Sequence, residues 1–210
     1  MVDDVEDEWL RPKNHYDYIH SRHMVMAVKN WPKLLKQALE YASLPPPWNV
    51  RWCANEVKNS HLKPGGWYEM QEIHHYPQCH DGSMPVDHPV AQFWSYVHQG
   101  LAALNVNFGA VLHLEDEMRE AGFVNISVRV FHVPIGVWPK NRLLKTVGLY
   151  WREILLLGVE PIALGPFTRG LKWSREQVEV FLVKVRQAYG DSWCHSHMPL
   201  YIICGQKPEK

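Results

Sequence analysis

The residues able to carry chemistry fall into three groups along the chain. DDVEDEW places Asp3, Asp4, Glu6, Asp7 and Glu8 almost side by side. Such a stretch can accept hydrogen bonds from a ligand's amino group, or it can simply face water. His20, His23 and Glu72 are side chains that can hold or move a proton. The spacing gives no reason to name one of them as a base, because a lone histidine in an α/β domain is more often structural than catalytic. HHYPQCHD and WCHSH gather His74, His75, Cys79, His80, Cys194, His195 and His197. These are metal ligands by type, but their spacing matches no tetrahedral zinc pattern, so no metal is expected.

Composition narrows the functional classes. Lysine plus arginine and aspartate plus glutamate both number 22, and no basic run offers a surface that would track phosphates. Nucleic acid is therefore not an expected partner. The start is acidic where a secretory signal would be basic and then apolar, and ILLLGV is far too short to span a bilayer. The expectation is a protein inside the cell, in the cytosol or nucleus, with no membrane partner. Cys53, Cys79, Cys194 and Cys204 lack CxxC spacing and read as reduced thiols. Ten tryptophans point to a core built from large side chains.

The elements that must position these residues follow from periodicity. Tyr16, Tyr18 and Ile19 mark a short strand. Asn30 is placed to cap a helix with Pro32 in its first turn and Leu34, Leu35, Ala38 and Leu39 on one face. LKPGG reads as a turn and WYEMQEI as the strand after it. Pro89 opens a helix carrying Phe93, Trp94, Val97, Leu101 and Leu104, with Asp87 near enough to cap it. Another helix ends at Gly122, and FVNISVRVFHV alternates as a strand. Ser174 and Gln177 form a capping box before Val178, Phe181, Leu182, Val185 and Tyr189. MPLYIICGQKP closes the chain as a strand. Strands alternating with helices, and ending in strand, helix, strand, predict an α/β sheet with an antiparallel C-terminal strand.

VDDVEDEW, YDYIHSR, NWPKLLKQAL, LKPGGWYEMQE, DGSMPVDHPVAQFW, AGFVNISVRVFHVPIGVWPKN, PFTRGLKWS and YIICGQKP together resemble the fungal class I S-adenosylmethionine-dependent methyltransferases. That group includes the velvet-associated regulators of secondary metabolism. The resemblance implies a Rossmann-like sheet, S-adenosylmethionine as cofactor, and a methyl acceptor that is a small molecule or a protein, with a regulatory protein partner in prospect. It places Asp4 and Val5, with Glu6 beside them, at the adenine, and His20, Ser21 and Arg22 near the sulfonium. The segment around VGLYWREILLLG corresponds to lid helices that vary with the acceptor.

The same resemblance sets two further expectations. No glycine precedes Gly65, so the glycine-rich turn that holds the amino-acid end of the cofactor has no counterpart. By this comparison residues 1–210 are a partial methyltransferase domain, N-terminally truncated with the first two strands missing, and binding S-adenosylmethionine negligibly as they stand. The alternative is a non-catalytic binding or regulatory remnant. Residues 41–60, with three consecutive prolines and no period, interrupt a helix and strand that match the family when joined directly. With suitable codons the stretch carries splice-donor, branch-point and acceptor sequences in frame. It is therefore read as a retained intron whose residues form a poorly ordered surface excursion.

Overall fold

The computed structural model describes residues 4–9, 14–39, 61–191 and 193–209. The expectation for residues 41–60 falls outside them. The chain divides into two compact units, each assembled from separated stretches: Met1–Glu72 with Leu112–Arg129 and Ile202–Lys210, and Ile73–Val111 with Val130–Tyr201. Among the described residues five strands, β1 (Tyr16–Arg22), β2 (Leu62–Ile73), β3 (Gln78–Cys79), β4 (Val124–Pro134) and β5 (Ser196–Gln206), form one sheet in the order β1-β2-β5-β3, with β4 also on β5. The expected α/β architecture is thus present. Strand β5 runs antiparallel to β3, as expected of the C-terminal strand.

In the first unit, β1 lies parallel to β2, with Ile19 opposite Tyr68 and His20 opposite Glu69. The register corrects one expectation. LKPGG is not a turn ahead of a strand; it lies inside β2. Between Tyr16↔Leu62 and Tyr18↔Trp67 the ladder shifts, so the extra residues bulge out of it. Gly65 takes the left-handed φ of 76° that this requires. Helix α1 (Trp31–Leu39) starts where expected, with Asn30 Oδ1 accepting from the Lys33 N–H at 2.9 Å. Its buried face of Leu34, Leu35, Ala38 and Leu39 packs against α3 (Leu114–Ala121), which buries Leu114 and Met118. Gly122, at φ 107°, ends α3.

The second unit is helical around β3 and the parts of β4 and β5 it contains. Helix α2 (Pro89–Ala102) is capped by His88, whose Nδ1 accepts from the Val90 N–H at 3.3 Å, rather than by Asp87. The proline at the first helical position places the cap one residue later than the acidic side chain suggested. Helix α4 (Arg142–Gly165) runs on into a π-helical turn, Pro166–Gly170, and packs against α5 (Arg175–Tyr189). Both halves of the Ser174–Gln177 capping box form. Val178, Leu182, Val185 and Tyr189 are buried as their spacing implied, whereas Phe181, expected on the same stripe, is half-buried; the Tyr189 hydroxyl accepts from Trp94 Nε1 at 2.9 Å. Among the described residues no helix is long and apolar enough to cross a membrane.

Candidate functional site

In the first unit an open cleft of about 960 Å³ is lined by Asp4, Val5, His20 and Ser21 together. These are residues from two separate sequence segments, the acidic stretch and the C-terminal end of β1. In open α/β sheets that end of a parallel strand is where ligands lie.

The acidic segment is held by its own hydrogen bonds. Asp4 Oδ1 accepts from the Glu6 N–H at 2.9 Å, and the Asp4 carbonyl accepts from the Asp7 N–H at 3.1 Å, which folds the segment into a turn. Glu6 turns to α1: its Oε1 accepts from the Asn30 N–H at 2.8 Å, and its carbonyl accepts from Lys33 Nζ. Gln37 Nε2 donates to the Asp7 carbonyl at 2.6 Å. Trp9 Nε1 donates to the Val5 carbonyl at 2.9 Å, with its ring 5.1 Å from that of His61. Glu6 therefore anchors the segment on α1 and does not line the cleft wall.

Strand β1 supplies Tyr16 and the consecutive residues Tyr18, Ile19, His20 and Ser21. His20 and Tyr18 stack with ring centroids 6.4 Å apart, and His20 Nε2 stands 3.8 Å from Glu69 Oε1 on the neighbouring strand. That separation is an electrostatic contact and not a hydrogen bond. Glu69 is held in place by Gln71 Nε2, which donates to Oε1 at 2.7 Å. Partial burial, then Glu69, raises the Tyr18 phenol above its ordinary value, so it stays a donor. Tyr68 is buried, and that burial pushes its phenol up to about 12. Arg22 is exposed at the end of β1 and outside the cleft lining.

Sequence reasoning missed the aromatic lining: Trp9, Tyr16, Tyr18 and Tyr68 all reach the cleft. For Tyr16 and Tyr18 the available signal was their nearness in the strand to His20 and Ser21, since consecutive residues from Tyr18 to Ser21 line the cleft. Trp9 gave none, because its position depends on the turn at Asp4. Glu72 is not poised as a base. It is buried, its Oε1 and Oε2 accept from the Met24 and Val25 N–H groups at 2.8 and 3.3 Å, and burial raises its carboxyl despite those bonds. It shapes the turn that follows β1.

In the second unit the two His/Cys clusters meet. Asp81 Oδ2 lies 2.6 Å from His195 Nδ1, its Oδ1 accepts from the Ser83 N–H at 3.0 Å and from Cys79 Sγ at 3.1 Å, and Ser83 Oγ accepts from the His195 N–H at 2.8 Å. Ser83 first, then Cys79 and His195, holds the Asp81 carboxyl well below the usual carboxylate range. This is a hydrogen-bonded clip between two loops. Beside it the rings of His80, His132 and His197 stand 4.5–5.7 Å apart. Among the described residues no three His, Cys, Asp or Glu are arranged to hold a metal ion.

No protein-family model matches the chain. Individual proteins do. The chain is 32% identical over 212 residues to the methyltransferase pytC of Aspergillus terreus, covering 99% of this chain and 58% of pytC. It is 24% identical over 209 residues to the secondary metabolism regulator LAE1 of Cochliobolus heterostrophus, covering 99% of this chain and 62% of that protein. Among solved structures, a phosphoethanolamine N-methyltransferase 2 of Haemonchus contortus matches 98% of this chain and 36% of its own, at 16% identity and a TM-score of 0.45, a likeness from which nothing about this chain follows. The chain is thus similar over nearly its whole length to fungal proteins named as methyltransferases and secondary-metabolism regulators, and it spans 58 and 62% of the lengths of those two relatives.

Proposed function

We propose that the protein is an S-adenosylmethionine-dependent methyltransferase of fungal secondary metabolism, and that the cleft of the first unit takes part of that cofactor. The observation that supports this best is the meeting of Asp4 and Val5 with His20 and Ser21 around one aromatic-walled cleft. One Asp4 oxygen is fixed by the Glu6 N–H, and the carboxylate, which lines the cleft, is an acceptor for the adenine amino group. Trp9 and Tyr18 are aromatic side chains in the cleft lining on which a flat ring can pack. His20 and Ser21 are assigned to the methionine end, Glu6 acts from outside the wall by fixing the acidic turn, and Arg22, expected beside the sulfonium, stands outside the cleft lining.

The cofactor supplies a methyl group activated by its sulfonium. The chain's own residues hold and orient it, since such a transfer depends mainly on bringing nucleophile and methyl carbon together. The acceptor is a small molecule or a protein, and a regulatory protein partner and a place inside the cell, in cytosol or nucleus, belong to the same reading.

Titration calorimetry of S-adenosylmethionine into the full-length protein, as the cell makes it, tests this. One site should bind, and Asp4→Ala should weaken it roughly tenfold to a hundredfold, the value of a hydrogen bond to a charged group. A full-length protein that binds no S-adenosylmethionine overturns the enzyme reading in favour of a non-catalytic regulator. Unchanged affinity in Asp4→Ala overturns the placement of the adenine.

A further inference from the structure

Directly across from His20, on β2, stands Glu69, a carboxylate that does not itself line the cleft. Several side chains from neighbouring strands converge on it. Gln71 Nε2 donates to Oε1 at 2.7 Å, Cys204 Sγ of β5 donates to Oε2 at 3.7 Å, and the Tyr18 hydroxyl of β1 hydrogen-bonds to the same carboxylate. These donors are neutral, so they fix the group and solvate its negative charge without cancelling it. His20 Nε2, 3.8 Å from Oε1, is the ring through which the charge faces the cleft. Among the described residues no lysine or arginine is ion-paired with Glu69. Arg129 of β4 is exposed and acts on Cys204.

Burial decides which carboxylate a ligand feels at the His20 end. Asp4, Asp7 and Glu8 of the cleft wall are exposed, where water and salt screen them. The Glu69 side chain is 22% exposed, so its field reaches past His20 with less loss. None of the described residues lining the cleft is a lysine or arginine that could offset it.

The two forms of the cofactor differ in charge. S-adenosylmethionine carries a sulfonium, an ammonium and a carboxylate and is a net cation, whereas S-adenosylhomocysteine, left after the methyl group has gone, has a neutral thioether and no net charge. We propose that Glu69, acting from behind His20, is a specificity-determining residue that biases the cleft toward the sulfonium form and against the spent thioether. The inference rests on the reading of this cleft as the cofactor site. A partly screened charge one side chain away from the ligand distinguishes the two forms by roughly threefold to tenfold.

Titration calorimetry of the full-length protein with S-adenosylmethionine, S-adenosylhomocysteine and adenosine tests it. In Glu69→Gln, isosteric and with circular dichroism unchanged, the ratio of the first two affinities should shift toward S-adenosylhomocysteine by roughly threefold to tenfold. Adenosine, which lacks the methionine end, should bind as before. Glu69→Asp keeps the charge and should retain most of the bias. Asp17→Asn, which removes an exposed carboxylate of the same strand paired with Lys63, should leave the ratio alone. An unchanged ratio in Glu69→Gln, an equal loss for all three ligands, as a merely structural residue gives, or an equal shift in Asp17→Asn overturns this inference and leaves the cofactor reading standing. An unmodified protein that binds none of the three overturns the cofactor reading, and this inference with it.

Discussion

At the scale of single residues, two buried side chains have measurable consequences. Glu72 satisfies two backbone N–H groups that otherwise have no acceptor in that turn. Glu72→Ala should therefore cost about 2–4 kcal/mol in urea unfolding, the penalty for leaving two buried donors unmet, and Glu72→Gln, which keeps one acceptor oxygen, should cost less. His197 works in the opposite sense. Burial first, then His132 and His80, pushes its imidazole down to about 4 from an ordinary 6.5. A histidine so depressed is neutral in the folded protein and takes up a proton more readily when unfolded. Stability is then fully present above about pH 6.5 and falls as the pH drops through the interval toward 4. Melts at pH 7.0 and 4.5 should differ by an extra 1–3 kcal/mol or so compared with His197→Asn, which lacks this proton uptake. An equal pH slope in both proteins would show that His197 is not the group responsible.

At the scale of elements, close approach decides which glycines can change. In α4 the Gly148 carbonyl accepts from the Gly136 N–H at 3.0 Å, and a Cβ at Gly148 would overlap the Gly136 carbonyl oxygen. Backbone cannot yield as a side-chain tip can. Gly148→Ala should lower stability by about 1–3 kcal/mol in spite of alanine's better helix propensity. Gly158 in the same helix is the comparison, because a Cβ there meets only the tip of Ile162 at 3.1 Å. Gly158→Ala should be neutral or stabilising by up to about 1 kcal/mol. Thermal melts of the pair distinguish backbone crowding from propensity, and equal effects would contradict the packing described. The same elements show what local pattern reveals. The Asn30 cap, the Gly122 stop and the Ser174–Gln177 box were all legible, because each is a bargain among residues four or fewer apart. The bulge at Gly65 was not, since it exists only because β1 pairs alongside.

At the scale of the whole molecule, each unit draws on distant stretches of chain, and the first needs residues near both ends. Part of the candidate site was readable in the sequence: the acidic stretch around Asp4 and the strand end at His20 and Ser21 stand out by residue type and by resemblance to the family. Their meeting in one cleft was not a property of either segment, and neither was the aromatic wall of Trp9, Tyr16, Tyr18 and Tyr68. The Asp81–His195 contact joins residues 114 positions apart, which is why two histidine-rich stretches far apart in the sequence prove to be two sides of one clip. The sequence by itself determined where helices start and stop, which face of α5 is buried, and which known proteins the chain resembles, since these depend on short-range periodicity and on residue identities kept in order. Only the tertiary structure decided that Glu6 anchors rather than lines the cleft and that Glu72 holds a turn. Those outcomes depend on which surfaces come to adjoin when strands pair and helices pack, and no window of neighbouring residues contains that information.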